Sequence, residues 1–167
     1  FFVNNKRNEA KKISTEAPVG TEVLASGYDE ISIDLTYQGW NRTMGTWNRL
    51  HGKVQMSWNQ IFSLIAPTML DESSEVNLRT IINKELANHS EEYISPSRKK
   101  LYSEFRGVDI TDGSMGLIQI QLRALGYIML SEKKHTASDK STYWTLTPYG
   151  NKIITQLLAV RKEDIPN

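Results

Sequence analysis

The side chains that most often carry chemistry are sparse in this chain. Its 167 residues include three histidines, His51, His89 and His135, and no cysteine. Without cysteine there is no disulfide framework, thiolate zinc site, iron–sulfur cluster or thiol nucleophile. A metal centre needs clustered ligands. The histidines fall in three different expected elements, none with a second ligand at i+3 or i+4 of a helix, and are expected to be exposed or satisfied. Gly113-Ser114-Met115-Gly116 sets a serine among glycines, but its spacing is not that of a nucleophile elbow and no strand precedes it. A glycine-loosened helix start is the expectation there. No glycine loop of the phosphate-cradling kind is present. Asp71-Glu72 and Glu91-Glu92 are neighbours in sequence, so their side chains diverge and are expected to be solvated rather than to work as an acid/base pair. The chain is therefore expected to be no enzyme and to use no metal or cofactor.

Binding chemistry remains. The net charge is only +1, which argues against a chain that coats nucleic acid over its whole surface. The charge is unevenly spread: residues 53–92 hold three basic against six acidic side chains, and residues 93–167 hold eleven against seven. Lys133, Lys134 and Lys140, with His135, crowd a polar run from Ser131 to Ser141, and Arg98, Lys99 and Lys100 form a second basic run. Both are expected candidates for contact with phosphates or with a partner. Gln119, Gln121 and Arg123, with Ser114, are the outward candidates on an expected third helix, where they could meet base edges. Arg123 alone among them is basic and Asp112 would repel phosphate, so ordinary exposed helix positions are favoured. Trp40 and Trp47 flank an expected turn and are candidate partner contacts, as interface anchors or base-stacking rings. A cross-strand aromatic pair is the favoured alternative. Trp58 and Trp144 sit in core registers.

These residues need elements to position them. Residues 1–27 read as a linker or tail: Asn4 to Lys12 is polar, Ala17-Pro18-Val19-Gly20 breaks regular structure, and a helix over about 6–13 would be too short to stand alone. Ile31, Ile33, Leu35 and Tyr37 alternate with polar residues, and Trp47, Val54 and Met56 mark a returning strand. The spacing predicts a β-hairpin over 28–57 with its turn between Gly39 and Gly45. Ser57 is expected to cap a helix carrying Trp58, Ile61, Phe62 and Ile65 on one face, ended or kinked by Pro67. Ser73 or Ser74 is expected to cap a second, with Val76, Leu78, Ile81, Ile82 and Leu86 as its apolar face, ending near His89. Residues 91–110 are expected as a packed loop or a short helix around Leu101, Tyr102 and Phe105. Thr111 caps the third helix and Gly126 closes it. Strands are expected over 127–130 and 142–146, paired across the polar run. Thr147-Pro148 then opens a last helix with Ile153, Ile154, Leu157 and Leu158 inward and Arg161 and Lys162 at its end.

From residue 53 the expected order is strand, helix, helix, helix, strand, strand, helix. The segment Ile118-Gln119-Ile120-Gln121-Leu122-Arg123-Ala124-Leu125-Gly126-Tyr127-Ile128 looks like the end of a winged helix's third helix, and Tyr143-Trp144-Thr145-Leu146-Thr147-Pro148-Tyr149-Gly150 looks like its return strand. Ser57 to Pro67 together with Tyr143 to Gly150 resembles the C-terminal region of bacterial multidomain proteins with an N-terminal TIR-like or deoxyribosyltransferase-like domain. Several of these architectures serve defence, including against phage, or signalling. The expected fold is therefore α+β: a winged helix-turn-helix over 58–167 with an additional N-terminal β-hairpin. The resemblance implies a cytoplasmic interaction or sensor module, with any catalysis upstream. Phe1-Phe2-Val3 in place of an initiator Met fits a piece of a longer protein. The partner classes left open are another protein, the chain's own upstream domain and a second copy. Duplex DNA read by the third helix and wing is the alternative. No apolar run is long enough to cross a membrane.

Overall fold

A computed structural model describes residues 14–159. The expected short helix over 6–13 and the Arg161–Lys162 helix end lie outside the described residues. The fold is α+β, with two small antiparallel sheets and six helices among the described residues. In chain order the elements are β1 (Glu30–Asn41), β2 (Thr46–Ser57), α1 (Trp58–Ile65), β3 (Ser73–Ser74), α2 (Glu75–Asn88), α3 (Ser90–Tyr93), α4 (Pro96–Leu101), β4 (Tyr102–Ile110), α5 (Asp112–Ala124), β5 (Ile128–Leu130), β6 (Tyr143–Leu146) and α6 (Pro148–Leu158).

Side-chain caps set most of the helix starts. The Ser57 hydroxyl accepts from the Gln60 N–H while the Gln60 side chain accepts from the Ser57 N–H, a closed capping box at the head of α1. Ser74, Thr111 and Thr147 cap α2, α5 and α6 in the same sense. α1 buries Trp58, Ile61, Phe62 and Ile65, and Pro67 lies in the 3-10 turn that ends it. α2 buries Leu78, Ile82 and Leu86 but leaves Val76 in solvent, and α6 buries Ile154 but exposes Leu158. Those two expected core positions are corrected, because each sits at a helix end where no neighbouring element covers it.

The first sheet has the order β2-β1-β4. β1 and β2 pair from Glu30↔Ser57 to Asn41↔Thr46, so β1 runs through Gly39 and Trp40 and the turn is shorter than expected. The larger correction is β4, which the sequence reading took for loop or short helix. It pairs antiparallel with β1, from Leu35↔Ile110 to Asn41↔Tyr102. The second sheet has the order β3-β6-β5, and β5 pairs antiparallel with β6 as expected. One core joins the two halves. Ile31, Ile33, Leu35 and Tyr37 from β1 meet the buried faces of α1, α2 and α5, together with Ile110, Tyr127 and Trp144. The expected boundary at 57/58 falls between β2 and α1, and the core runs across it.

Candidate recognition surface

α5 begins at Thr111, whose hydroxyl accepts the Ser114 N–H at 3.2 Å, and it stops at Gly126, whose φ of 75° closes the helix without a Cβ penalty. Met115, Ile118 and Leu122 face the core. Ser114 was expected outward. It is buried instead, and its Oγ accepts the Asp34 N–H at 2.9 Å, which fastens α5 to β1. Gln119 is half-buried, with its amide nitrogen away from solvent and unpartnered. Gln121 donates that group to the Ala25 carbonyl at 2.9 Å. Arg123 is exposed, its guanidinium 5.6 Å from the Trp144 ring centre.

The outward face of α5 is apolar. Leu117 is 47 % and Ile120 64 % exposed, and nothing lies within 4 Å of the place a Cβ would take on Gly113 or Gly116. Gly113, Leu117, Ile120 and Ala124 follow at i, i+4, i+7 and i+11, one stripe of the helix. The tail beside it is anchored rather than free. Pro18 packs against Gly126, Ala25 holds Gln121, and the Gly27 carbonyl accepts the Asn59 N–H at 2.7 Å.

The loop between β5 and β6 carries the expected lysines, but its charges are answered locally. Lys133 is paired with Asp71, and that bond raises the Lys133 pKa. The His135 ring lies 3.2 Å from a Glu72 carboxylate oxygen and stacks on Tyr143, with ring centres 3.9 Å apart. Asp139 is held below the usual carboxylate range, first by the Ser141 backbone N–H, then by the Ser141 hydroxyl and the Tyr143 hydroxyl. Lys140 donates to the Ala137 carbonyl at 3.0 Å, and Lys134 is exposed.

The run Arg98-Lys99-Lys100 falls in the stretch 91–110 that leads to the third helix. It lies on α4, where the Arg42 N–H donates to the Leu101 carbonyl at 3.1 Å, so it sits at the hairpin tip. β4 carries the chain from there to α5, past the stretch of β1 between Asn41 and Leu35, a distance of about 20 Å. Arg98 is an internal anchor. One guanidinium nitrogen bonds the Tyr37 hydroxyl, the His51 carbonyl (2.7 Å) and the Tyr93 carbonyl (3.0 Å). Lys99 pairs with Glu91 at 2.7 Å, and Lys100 is exposed. Trp40 and Trp47 stand directly opposite each other, ring centres 5.5 Å apart and 62° inclined, the cross-strand pair that was favoured.

His89 has Glu85 at i−4 (3.2 Å) and Glu92 at i+3 (2.6 Å), on the helix junction where no second ligand was expected. The signal was present in the sequence, but the adjacency of Glu91 and Glu92 hid that only Glu92 turns inward. The set makes a charge-assisted clasp. Among the described residues no group of three or more His, Asp or Glu side chains is placed to hold a metal ion. A groove of about 600 Å³ beside β4 is lined by Tyr37, Asn83, Lys84, Ser90, Glu91, Tyr93, Lys99, Ser103, Glu104, Phe105 and Arg106, with Glu91 and Lys99 paired to each other at 2.7 Å. Among the described residues no helix is long and apolar enough to cross a membrane. Set beside protein-family models, curated proteins and solved structures, the chain matches none of them, so its surfaces alone must carry the functional assignment.

Proposed function

We propose that this chain is a non-catalytic winged-helix recognition module that docks on protein through α5. The order α1, β3, α2, α5, β5, β6, α6, with β6 between β3 and β5, supports the winged-helix assignment. α3, α4 and β4 are an insertion between the second and third helices, and β1–β2 is the added hairpin. The lysine-bearing loop is the wing.

The apolar outward stripe of α5 carries the choice of protein over DNA. A helix that reads a major groove offers donors and acceptors to base edges and cations to phosphates. Here Leu117 and Ile120 take the central outward positions, and Asp112 at the leading end is paired with Arg79 at 2.5 Å. The wing adds little attraction, because Lys133, Lys134 and Lys140 share their surroundings with Asp71, Glu72, Glu132 and Asp139. Exposed apolar residues grouped on one helix face mark protein contact. On the resemblance noted above, such a module supplies recognition to a larger bacterial defence or signalling protein in the cytoplasm.

An electrophoretic shift with random duplex at low and moderate salt tests this. No shift is expected at micromolar protein. Strong, salt-sensitive binding that weakens on Lys133→Glu with Lys134→Glu would put DNA in place of protein. Sedimentation tests one partner class directly: a concentration-dependent dimer that is lost on Ile120→Glu makes a second copy the partner, and a monomer in both cases leaves another protein or the chain's own upstream domain.

A further inference from the structure

The distal half of the first sheet groups residues that α5 and the wing do not account for. With Ile33, Leu35 and Tyr37 turned to the core, the opposite face of β1 presents Gln38 and Trp40. The register places Arg49 of β2 and Arg106 of β4 on either side of Gln38, and Trp47 opposite Trp40. The Arg106 guanidinium lies 3.7 Å over the Trp47 ring, and its Nε donates to Gln38 at 3.1 Å. Both indoles are half-buried and keep part of their surface in solvent. The bond from Arg42 to Leu101 brings the exposed Lys100 to the same tip.

Charge is one-sided here. Residues 38–50 contain Arg42 and Arg49 and no Asp or Glu. Glu104 is the acid that this part of β4 carries, and nearby Glu91 is paired with Lys99. Lys53, Arg79, Lys99 and Lys133 each hold a carboxylate, whereas Lys84, Arg98, Arg123, Lys134, Lys140 and Lys152 are without one among the described residues but are not grouped with partly exposed indoles on an acid-free stretch of a strand pair. Among the described residues Arg42, Arg49, Lys100 and Arg106 have no ion-pair partner. Cations interleaved with aromatic rings on an open sheet suit a polyanion that also offers flat rings. A single strand does so, since its unpaired bases can stack while its phosphates meet the arginines. A duplex keeps its bases inside, and a sheet face without a protruding element has nothing to insert in a groove.

We propose that this face binds single-stranded nucleic acid, with bases on Trp40 and Trp47 and phosphates on Arg49, Arg106, Arg42 and Lys100. The surface is separate from α5, so it stands or falls apart from the protein-docking assignment. The test is fluorescence anisotropy of a labelled short oligothymidylate or oligouridylate with the whole chain, read beside quenching of tryptophan emission. With four phosphate contacts the affinity should fall roughly 50-fold for a fourfold rise in salt. Arg49→Glu with Arg106→Glu should cost at least about tenfold at low salt and flatten the salt slope by about 1.4. Trp40→Ala should weaken binding about 5- to 160-fold, and Trp40→Phe should restore most of it. Thermal melts of each variant separate lost binding from lost fold, and the arginine pair keeps the test alive if Trp40→Ala unfolds. No binding of the wild-type chain at low salt overturns the proposal. So does an equal loss on Lys133→Glu with Lys134→Glu, competition by duplex as strong as by single strand, or heparin-like binding that ignores Trp40.

Discussion

Arg98 provides the sharpest test of the structure, because the same residue has two incompatible roles. As a surface cation it would cost nothing to the fold. As placed, it is half-buried and donates to the Tyr37 hydroxyl, the His51 carbonyl and the Tyr93 carbonyl, with its guanidinium 5.6 Å from the centre of the Tyr37 ring. Arg98→Met keeps the stem and removes the donors. Each hydrogen bond from a charged group contributes about 1.5–3 kcal/mol, and a stranded buried acceptor costs about 1–3 kcal/mol. Two of the three acceptors retain some relief. The Tyr93 carbonyl still accepts from the Tyr37 hydroxyl at 3.3 Å, and the His51 carbonyl lies on the outer edge of β2, where water can reach it. A net loss of about 3 kcal/mol follows. For a chain of this size that lowers Tm by about 6–12 °C. Lys99→Met on the same helix breaks only an exposed pair with Glu91 and should cost at most about 1 kcal/mol. Thermal and urea unfolding of the two variants, followed by circular dichroism, measures the contrast. Equal, small losses in both would refute the anchor. So would an Arg98→Met variant with an unchanged Tm and weakened oligonucleotide binding, since that is the behaviour of a phosphate contact.

Three further outcomes follow from the geometry. A Cβ on Gly150 would lie 1.9 Å from the Tyr127 carbonyl oxygen, so Gly150→Ala should drive α6 off β5 and cost more than about 3 kcal/mol; Gly116→Ala, with open space, should raise stability by about 0.5–1 kcal/mol, both read by urea unfolding. The Glu92 hydrogen bond, more than the Glu85 one, raises the His89 pKa. Its stabilisation is therefore complete below the unfolded histidine value of about 6.5 and fades as pH rises through the higher folded value, so the Tm gap between wild type and His89→Gln should narrow upward across that window; a gap that widens would reverse the assignment. Asp71→Asn with Glu72→Gln frees Lys133 and His135 and should give the β5–β6 loop a salt-sensitive duplex affinity above that of the wild-type chain, measured by gel shift. A null result there would mean that the apolar α5 blocks DNA by itself.

Local chemistry was legible and long-range pairing was not. Ser57, one of the Ser73/Ser74 pair, Thr111 and Thr147 were all identified as caps, because a cap is a bond between residues three apart. β4 was lost because its periodicity is broken. Its register with β1 shifts between Thr36 and Gln38 and again between Gly39 and Asn41, and Gly107 takes a φ of 66°. Its apolar residues Tyr102, Phe105, Val108 and Ile110 then fall three, three and two apart, a spacing that imitates a helix. The β5–β6 pairing was expected from the sequence, but the carboxylate that holds Lys133 comes from 62 residues away. No local pattern announces such a partner. Ser114 was misplaced for the same reason: its acceptor role is defined by a β1 N–H on another element.

β4 is also what joins the hairpin's sheet to α5. A hairpin merely appended to the helical part could swing on its connection. Here β4 is the third strand of the hairpin's own sheet and leads directly into α5, so the sheet and the third helix share a backbone joint at Thr111, whose N–H donates to the Asp34 carbonyl at 3.0 Å. Ser114 adds the reciprocal bond to the Asp34 N–H. α2 clamps the joint from the other side. Arg79 reaches Asp109, the Ile110 carbonyl and Asp112, and Asn83 bonds both Asp109 and the Ile110 N–H. These side chains satisfy a strand end and a helix start that would otherwise be left open. A ligand on the proposed Trp40–Trp47 face and a partner on the proposed Leu117–Ile120 stripe would thus be carried on elements joined at one backbone joint. Binding to one surface therefore restricts where the other can point, which a flexibly tethered hairpin could not do.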